Sequence, residues 1–291
     1  MKIRFNKLHN NCILIAGVVV LYNSKRSVID NILSYVNQVD LLYIIDNSDI
    51  VDIGLVEEIS SIHSIKYISI GSNKGIAYAL NVAANHAIKD GFTHLLTMDD
   101  DSKAPKDLVK LMRDFLLQYF APEKIGIISV AHSKPLSNYS YKKVCFTMTS
   151  GNLLSLDAYK DVGPFDDILF IDHVDHEYNL RLNLGDYEII ELSYVKLNHK
   201  LGVNKVSTLF GNKFYFISHS PIRLYYLVRN GIYIAKKYFL VRPSFCMKLL
   251  YLNLVETSKS LLLEDNKRKR IVLTVRAFID GSRGKMGRVD Y

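Results

Sequence analysis

Four apolar runs rich in Val, Ile and Leu, each followed by a helical pattern, occupy the first 120 residues: Ile13–Leu21, Leu41–Ile45, Ile65–Ile70 and His94–Met98. Apolar runs without polar alternation suit strands covered on both faces, and strand-then-helix units in series build a parallel sheet flanked by helices. Helices are predicted after Ser24 to about Asn37, near 54–62, from Gly75 to about Lys89, and from Pro105 to about Phe120. Gly91 and Pro105 sit where a helix end and a first helical turn want them. Beyond residue 120 the alternation loosens. Residues 125–130 and 144–149 read as strands, 161–172 as loop, 173–184 as a helix ended by Gly185, and 188–197 as one or two strands. From Ser220 onward the pattern is helical. The expected class is α/β, with a mostly parallel central sheet and a C-terminal helical region, divided at 1–215 and 216–291.

The chain has 291 residues, 49% apolar and 23% charged, which fits a globular protein with a sizeable core. Cys12, Cys145 and Cys246 are odd in number and far apart, against a disulfide framework or zinc knuckle. The longest apolar run, Ile13 to Tyr22, is about half of the roughly 20 residues that a membrane span needs. It is followed by no small-residue cleavage site, so a cytoplasmic location is expected. Charge is uneven: 196–291 carry a balance of +14 and 1–195 one of −6. The basic part holds no nucleic-acid-binding motif, and no nucleic acid partner is expected. Its basic residues interleave with apolar ones at 236–255 and 266–278. Two readings stay open: peripheral contact with an anionic membrane face, or helices packed on the main domain with solvated basic sides.

HLLTMDDDS at 94–102 carries the most chemistry. Residues two apart on a strand share a face, so Asp99 and Asp101 converge while Asp100 points away. Paired carboxylates at the carboxyl end of a parallel strand lie where open α/β sheets bind ligands, and they suit Mg²⁺ or Mn²⁺. The alternative is a solvated acidic turn before the next helix.

The order VVVLYNS, IIDNS, SNKGIAYALN and MDDDS resembles family 2 glycosyltransferases of the GT-A, Rossmann-like fold. The resemblance continues through GPFDDILFIDHVDHEYNLRLNLGDYEI (163–189), NHKLG (198–202), HSPIRLYYLVRN (219–230) and DGSRGKMG (280–287). That set is similar to bacterial rhamnosyltransferases of surface-polysaccharide synthesis, and more distantly to galactofuranosyltransferases. It implies a dTDP- or UDP-linked donor, L-rhamnose first, and a saccharide or polyprenyl-linked acceptor. Where rhamnosyltransferases often have Gln between the two aspartates, this chain has Asp100.

By the same resemblance Tyr22, Asn23, Asp46, Asn73, Gly75 and Asp100 fall on the donor side, with Asn81 matching a later Asn. A carboxylate can accept from a pyrimidine N–H, an aromatic ring can cover the base, and a helix N-terminus behind glycine favours phosphate. Asp46 also reads as a strand-ending turn with Asn47 and Ser48. Asp175 matches the family's catalytic base and His199 its third metal ligand beside Asp99 and Asp101. An alternative reading makes Asp172 and Asp175 a carboxylate capping box. Glu177 is expected to pair with Arg181 one helical turn on. Residues 149–152 and Phe165-Asp166 match the acceptor side. Arg223, Tyr226 and Arg229 support phosphates or pack the C-terminal helices, and His173, His176 and His219 have weaker claims. Competing readings are a UDP-sugar transferase and a non-catalytic donor-binding subunit.

Overall fold

A computed structural model describes residues 12–132, 140–199, 203–209, 212–218 and 220–289. The first half follows the predicted alternation: β1 (Ile15–Leu21), α1 (Val28–Leu33), β2 (Leu41–Asp46), α2 (Ile53–Ser60), β3 (Ile65–Ser69), α3 (Ile76–Lys89) and β4 (His94–Asp99). After a two-residue β5 (Ser102–Lys103) come α4 (Leu108–Gln118), β6 (Ile125–Ala131), β7 (Tyr141–Val144), β8 (Asn152–Ser155) and α5 (Leu156–Val162). The rest is α6 (Val174–Leu184), β9 (Glu188–Lys196), β10 (Asn198–His199), β11 (Val203–Leu209), β12 (Asn212–Ser218), α7 (Pro221–Tyr238), α8 (Pro243–Leu263) and α9 (Lys267–Arg283).

Eight strands form the central sheet in the order β3-β2-β1-β4-β8-β6-β9-β7. The pairs β1–β2, β2–β3, β1–β4 and β6–β9 are parallel, while β8 runs against both neighbours and β7 closes one edge antiparallel. Strand β1 is the switch point: the chain leaves it toward β2 and β3 on one side and returns to β4 on the other. The crevice outside the carboxyl ends of β1 and β4 is where such sheets take ligands.

Both faces are covered, as the apolar runs require. On β1, Ala16, Val18 and Val20 join a core with α3, α5, α6, α7 and the start of α8, whereas Ile15, Val19 and Leu21 join one with α1, α2 and α4. On β4, Leu95 faces the first core, and Leu96 and Met98 face the second. This alternation fixes which aspartate faces which side of the molecule.

Two expectations are corrected and one pairing is added. The strand read at 144–149 lies earlier, as the edge strand β7. The carbonyls of Cys145, Thr147 and Met148 instead accept hydrogen bonds from the side chains of Asn183 (3.0 Å), Asn179 (2.7 Å) and Asn152 (2.6 Å). Side-chain amides thus do there what a neighbouring strand would do. Between these segments the chain forms β8 and α5, the latter capped by Ser155, whose hydroxyl accepts from Ala158 N–H. The first helix is also shorter than expected, giving way to a 3-10 turn at Val36–Gln38. Strands β11 and β12 pair antiparallel, a pairing the sequence pattern did not disclose.

Candidate functional site

Of the six residues expected on the donor side, Asn23 and Asp46 line a recess with Leu21, Ser24, Ser48, Ile50, Asp52, Leu55 and Val56. Asp46 ends β2 buried, one carboxylate oxygen accepting from Ser48 N–H (2.9 Å) and the other from the Tyr67 hydroxyl (2.6 Å). The strand-ending turn is therefore present, and the same carboxylate faces the recess. Asn23, in the left-handed region at φ 50°, donates its N–H to Ser48 Oγ (2.9 Å), joining the first loop to the second. Tyr22 stands at the rim, about half exposed.

Asn73 and Gly75 meet the site differently. The Asn73 Oδ1 accepts from Asn47 Nδ2 (3.1 Å) and from Gly75 N–H (3.0 Å), and Lys74 N–H donates to Asn47 Oδ1 (2.8 Å). Asn73 thereby staples the loop after β2 to the loop before α3. Gly75 has φ 90°, and a Cβ there would lie 2.4 Å from the Phe170 carbonyl oxygen. That same oxygen accepts Ile76 N–H at 2.8 Å. The start of α3 is thus seated against residue 170 and does not present that donor to a phosphate. Asn81 braces Phe165, donating to its carbonyl (2.9 Å) and accepting its N–H (2.9 Å).

At the end of β4 the alternation separates the three aspartates. Asp99 follows Thr97 on the α6 side, and its N–H donates to Ser150 Oγ (3.0 Å), which in turn donates to Ser102 Oγ (2.8 Å). Asp100 turns the other way: its carboxylate accepts from the Ser24 hydroxyl and its carbonyl from Asn31 Nδ2 (2.8 Å). Burial pushes the Asp100 carboxyl up, Ser24 opposes that shift, and Asp101 adds to it. Asp101 is exposed. His199 sits on β10, whose antiparallel pairing with β5 puts it opposite Ser102, one residue past Asp101. Lys200, Leu201, Gly202 and His219 lie outside the described residues.

Asp99 and Asp101 carry the hard oxygen donors that Mg²⁺ or Mn²⁺ takes, and backbone pairing sets position 199 opposite Ser102, the next residue after Asp101. Among the described residues no group of three or more His, Cys, Asp or Glu converges on a metal position. The His199 side chain is not among the described ones.

Asp175, in the first turn of α6, lines a second recess with Thr97, Thr149, Asn152, Phe165, Tyr178 and Asn179. Thr97 and Asp99 share one side of β4, and the Asp99 and Asp175 carboxylates both act on Arg223. Asp175 Oδ1 accepts from His176 N–H (2.8 Å) and lies 3.0 Å from His176 Nδ1. Burial pushes the Asp175 carboxyl up, but the His176 imidazole and N–H outweigh it and hold the group below the usual carboxylate range. The capping box of the alternative reading is absent. His173, at φ 63°, occupies the N-cap without a side-chain cap, and Asp172 instead takes Arg223 Nη2 at 2.7 Å. Burial works against the Arg223 charge, and the carboxylates of Asp172, Asp99 and Asp175 support it. Of the three C-terminal candidates, only Arg223 faces this acidic cluster. Arg229 is buried on the carbonyls of Gly287 (2.6 Å) and Leu169 (3.2 Å), and Tyr226 stacks on Phe170.

The expected Glu177–Arg181 pair is present at 2.9 Å, and Glu177, fully buried, also accepts from Lys237 Nζ (3.1 Å) and the Tyr238 hydroxyl (2.6 Å). His173 is buried against Asn253 (3.0 Å), and burial lowers its pKa to about 4. Sequence reasoning missed Asn230. Its Nδ2 donates to the carbonyls of Leu169 (2.9 Å), Ile171 (2.7 Å) and Asp172 (2.9 Å). That loop carries left-handed backbone at Phe170, Asp172 and His173, strain that a buried amide and Arg229 hold in place. The signal was in the string LVRN, which places two long polar side chains on the buried side of a helix.

Residues 18–131 match the family Glycosyl transferase family 2. The chain is 25% identical to the dTDP-rhamnosyl transferase RfbF of Shigella flexneri, over 94% of this chain and 97% of that protein. In fold it is similar to S. aureus TarS 1–349, at a TM-score of 0.57 and 16% identity over 92% of this chain and 80% of that one. It is also similar to GalNAc-T7 with UDP, GalNAc and Mn²⁺, at a TM-score of 0.59 and 12% identity over 94% and 57%.

Proposed function

We propose that this chain, a glycosyltransferase carrying a family 2 domain, moves a sugar with inversion from a nucleotide-diphosphate donor onto a saccharide or polyprenyl-linked acceptor. The donor is dTDP-L-rhamnose, and the setting is bacterial surface-polysaccharide synthesis at the cytoplasmic face of a membrane. Likeness along nearly the whole chain to a dTDP-rhamnosyl transferase supports that donor. The observation that carries the mechanism is the approach of Asp175 to the side of β4 bearing Thr97 and Asp99.

In this reading residues 1–215 bind donor and carry the base, while 216–291 brace the loop before α6. Asn23 and Asp46 line the base recess, Tyr22 covers it, and Asp100 fixes the first loop through Ser24. Asn73 and Gly75 hold the second and third loops in register. Asp99 and Asp101 would hold Mg²⁺ or Mn²⁺, with His199 as a third ligand, and the cation when bound supplies positive charge to the departing diphosphate. Arg223 adds a fixed positive charge beside Asp99. Asp175, ionised at neutral pH, takes the acceptor hydroxyl's proton on a carboxylate oxygen. The hydroxyl oxygen bonds to the anomeric carbon as the carbon–oxygen bond to phosphate breaks on the opposite face, its electron pair leaving with the diphosphate. No protein acid is needed for that leaving group.

The test is nucleotide release and transfer across a panel of dTDP- and UDP-sugars, with Mn²⁺ or with chelator. Release of dTDP from dTDP-L-rhamnose, lost with chelator, is expected. Turnover of UDP-galactofuranose alone would move the assignment to a UDP-sugar transferase. Donor binding that never releases diphosphate would leave a non-catalytic subunit.

A further inference from the structure

We propose that the outward faces of α8 and α9 dock this protein on an anionic phospholipid surface. The inference deepens the reading above by giving a lipid-linked acceptor its place, and it rests on that reading for nothing else.

Each helix is two-sided in an unusual way. On α8 the inward positions are Cys246, Leu249, Asn253, Thr257 and Ser260, the spacing of a single helical face. The opposite face shows Met247, Tyr251, Leu254 and Leu262 to solvent, Tyr251 64% exposed. On α9 the inward positions are Arg270, Leu273, Ala277, Asp280 and Gly281. The opposite face shows Ile271, Val272, Val275, Phe278 and Ile279, Val272 65% exposed. The turn between α7 and α8 adds Leu240, 96% exposed, with Phe239 and Val241. A water-facing helix ordinarily reverses this order, with polar groups outward. Two neighbouring helices each bearing an outward apolar stripe exceed the scattered exposed residues that need no explanation.

Charge selects the occupant. Exposed basic residues border the stripes: Lys248 on α8, then Lys267, Arg268 and Arg283 on α9. Acidic side chains are few there, Asp265 in the turn between α8 and α9 being the exposed one. Asp280 is buried under α9, and the one acid on α8, Glu256, is paired with Lys259 at 2.7 Å. A second copy laid on this face would set basic residues against like charges, with only Asp265 in the turn between the helices and the paired Glu256 to answer them, which disfavours self-association. A surface with anionic headgroups over hydrocarbon matches both properties, basic side chains at the headgroups and Phe, Tyr, Leu and Val below. Among the described residues no helix is long and apolar enough to cross a membrane, so the contact lies in the interface plane.

The test uses the full-length chain with sucrose-loaded vesicles of phosphatidylcholine alone or mixed with phosphatidylglycerol. Sedimentation with the mixed vesicles, weakening as salt rises, is expected. The pairs Tyr251→Glu with Leu254→Glu and Val275→Glu with Phe278→Glu should each reduce partitioning by about tenfold or more at unchanged melting temperature. Lys267→Glu with Arg268→Glu should abolish the preference for phosphatidylglycerol. Wild-type protein that stays in the supernatant, or apolar variants that partition as wild type does, would overturn the proposal. So would a wild-type dimer that the same variants dissociate in ultracentrifugation, since the face would then belong to a second copy. Vesicle binding by a chain that releases no nucleotide from any sugar donor would sustain docking and refute transfer.

Discussion

Arg288 and Asp49, 239 positions apart, meet as a two-pronged pair: Nη1 lies 2.8 Å from Oδ1 and Nη2 3.1 Å from Oδ2. Arg288 also donates to the Asn73 carbonyl (3.1 Å), and Asp49 accepts Asn73 N–H (3.1 Å). The Arg288 guanidinium beside Asp49 and the Asn73 N–H hold the Asp49 carboxyl below its usual range. The segment after α9 thereby pins the loop after β2, which lines the first recess, to the loop before α3. Such an exposed pair contributes little to global stability, so its effect should fall on those loops. Arg288→Ala should raise the donor KM several-fold with kcat and melting temperature nearly unchanged. Asp49→Arg combined with Arg288→Asp should recover part of the loss, and no recovery would leave the pair incidental.

Asp175→Asn keeps size and removes the proton acceptor. Transfer should fall by about 10²–10⁴, while donor affinity measured by titration calorimetry stays close to wild type. Equal loss of both would make Asp175 a binding residue.

Asp101→Ala removes one of two oxygen donors from the proposed cation position. Donor titrations with and without Mn²⁺ should become indistinguishable in this variant. An unchanged Mn²⁺ response would place the cation elsewhere.

Glu177 is completely buried with Arg181, Lys237 and the Tyr238 hydroxyl around it. Glu177→Ala strands the buried Tyr238 hydroxyl and takes the carboxylate from the part-buried Arg181, while Lys237 keeps Asp166, a loss of about 2 kcal/mol. Thermal or denaturant unfolding reads this directly. A change within about 0.5 kcal/mol, the range of an ordinary surface substitution, would contradict it.

His94, at the start of β4, has its pKa lowered to about 4 by burial, with Asp157 opposing the shift. An unfolded histidine titrates near 6.5, so acidification protonates the unfolded chain first. Stability is unaffected well above that value and falls as pH drops from about 6.5 toward 4. Between pH 7 and 5 the loss from this group is about 1–2 kcal/mol. His94→Gln, compared with wild type by urea unfolding at both pH values, should show a correspondingly shallower decline.

The first half of the fold was legible because β1, β2 and β4 are buried on both faces and each strand ends in a turn signal. The strand period alone also sent Asp100 away from Asp99, and Asp100 does bond Ser24. Legibility failed where side chains replace secondary structure. Asn152, Asn179 and Asn183 take carbonyls that a strand at 144–149 would have used, and an amide far along the chain leaves no periodic trace. Asn230 and Arg288 escaped for the same reason: their partners lie 58 and 239 positions away. The alternative reading of Asp172 as a helix cap rested on local spacing, whereas its partner, Arg223, is remote in sequence.

Gly75 and the Phe170 carbonyl touch with no room for even a methyl group between them. The two halves of the crevice are consequently not interchangeable parts. A chimera joining the nucleotide half of one relative to the C-terminal half of another inherits this junction from two parents. It keeps its register only if both carry the bare backbone at one side and the same left-handed turn at the other.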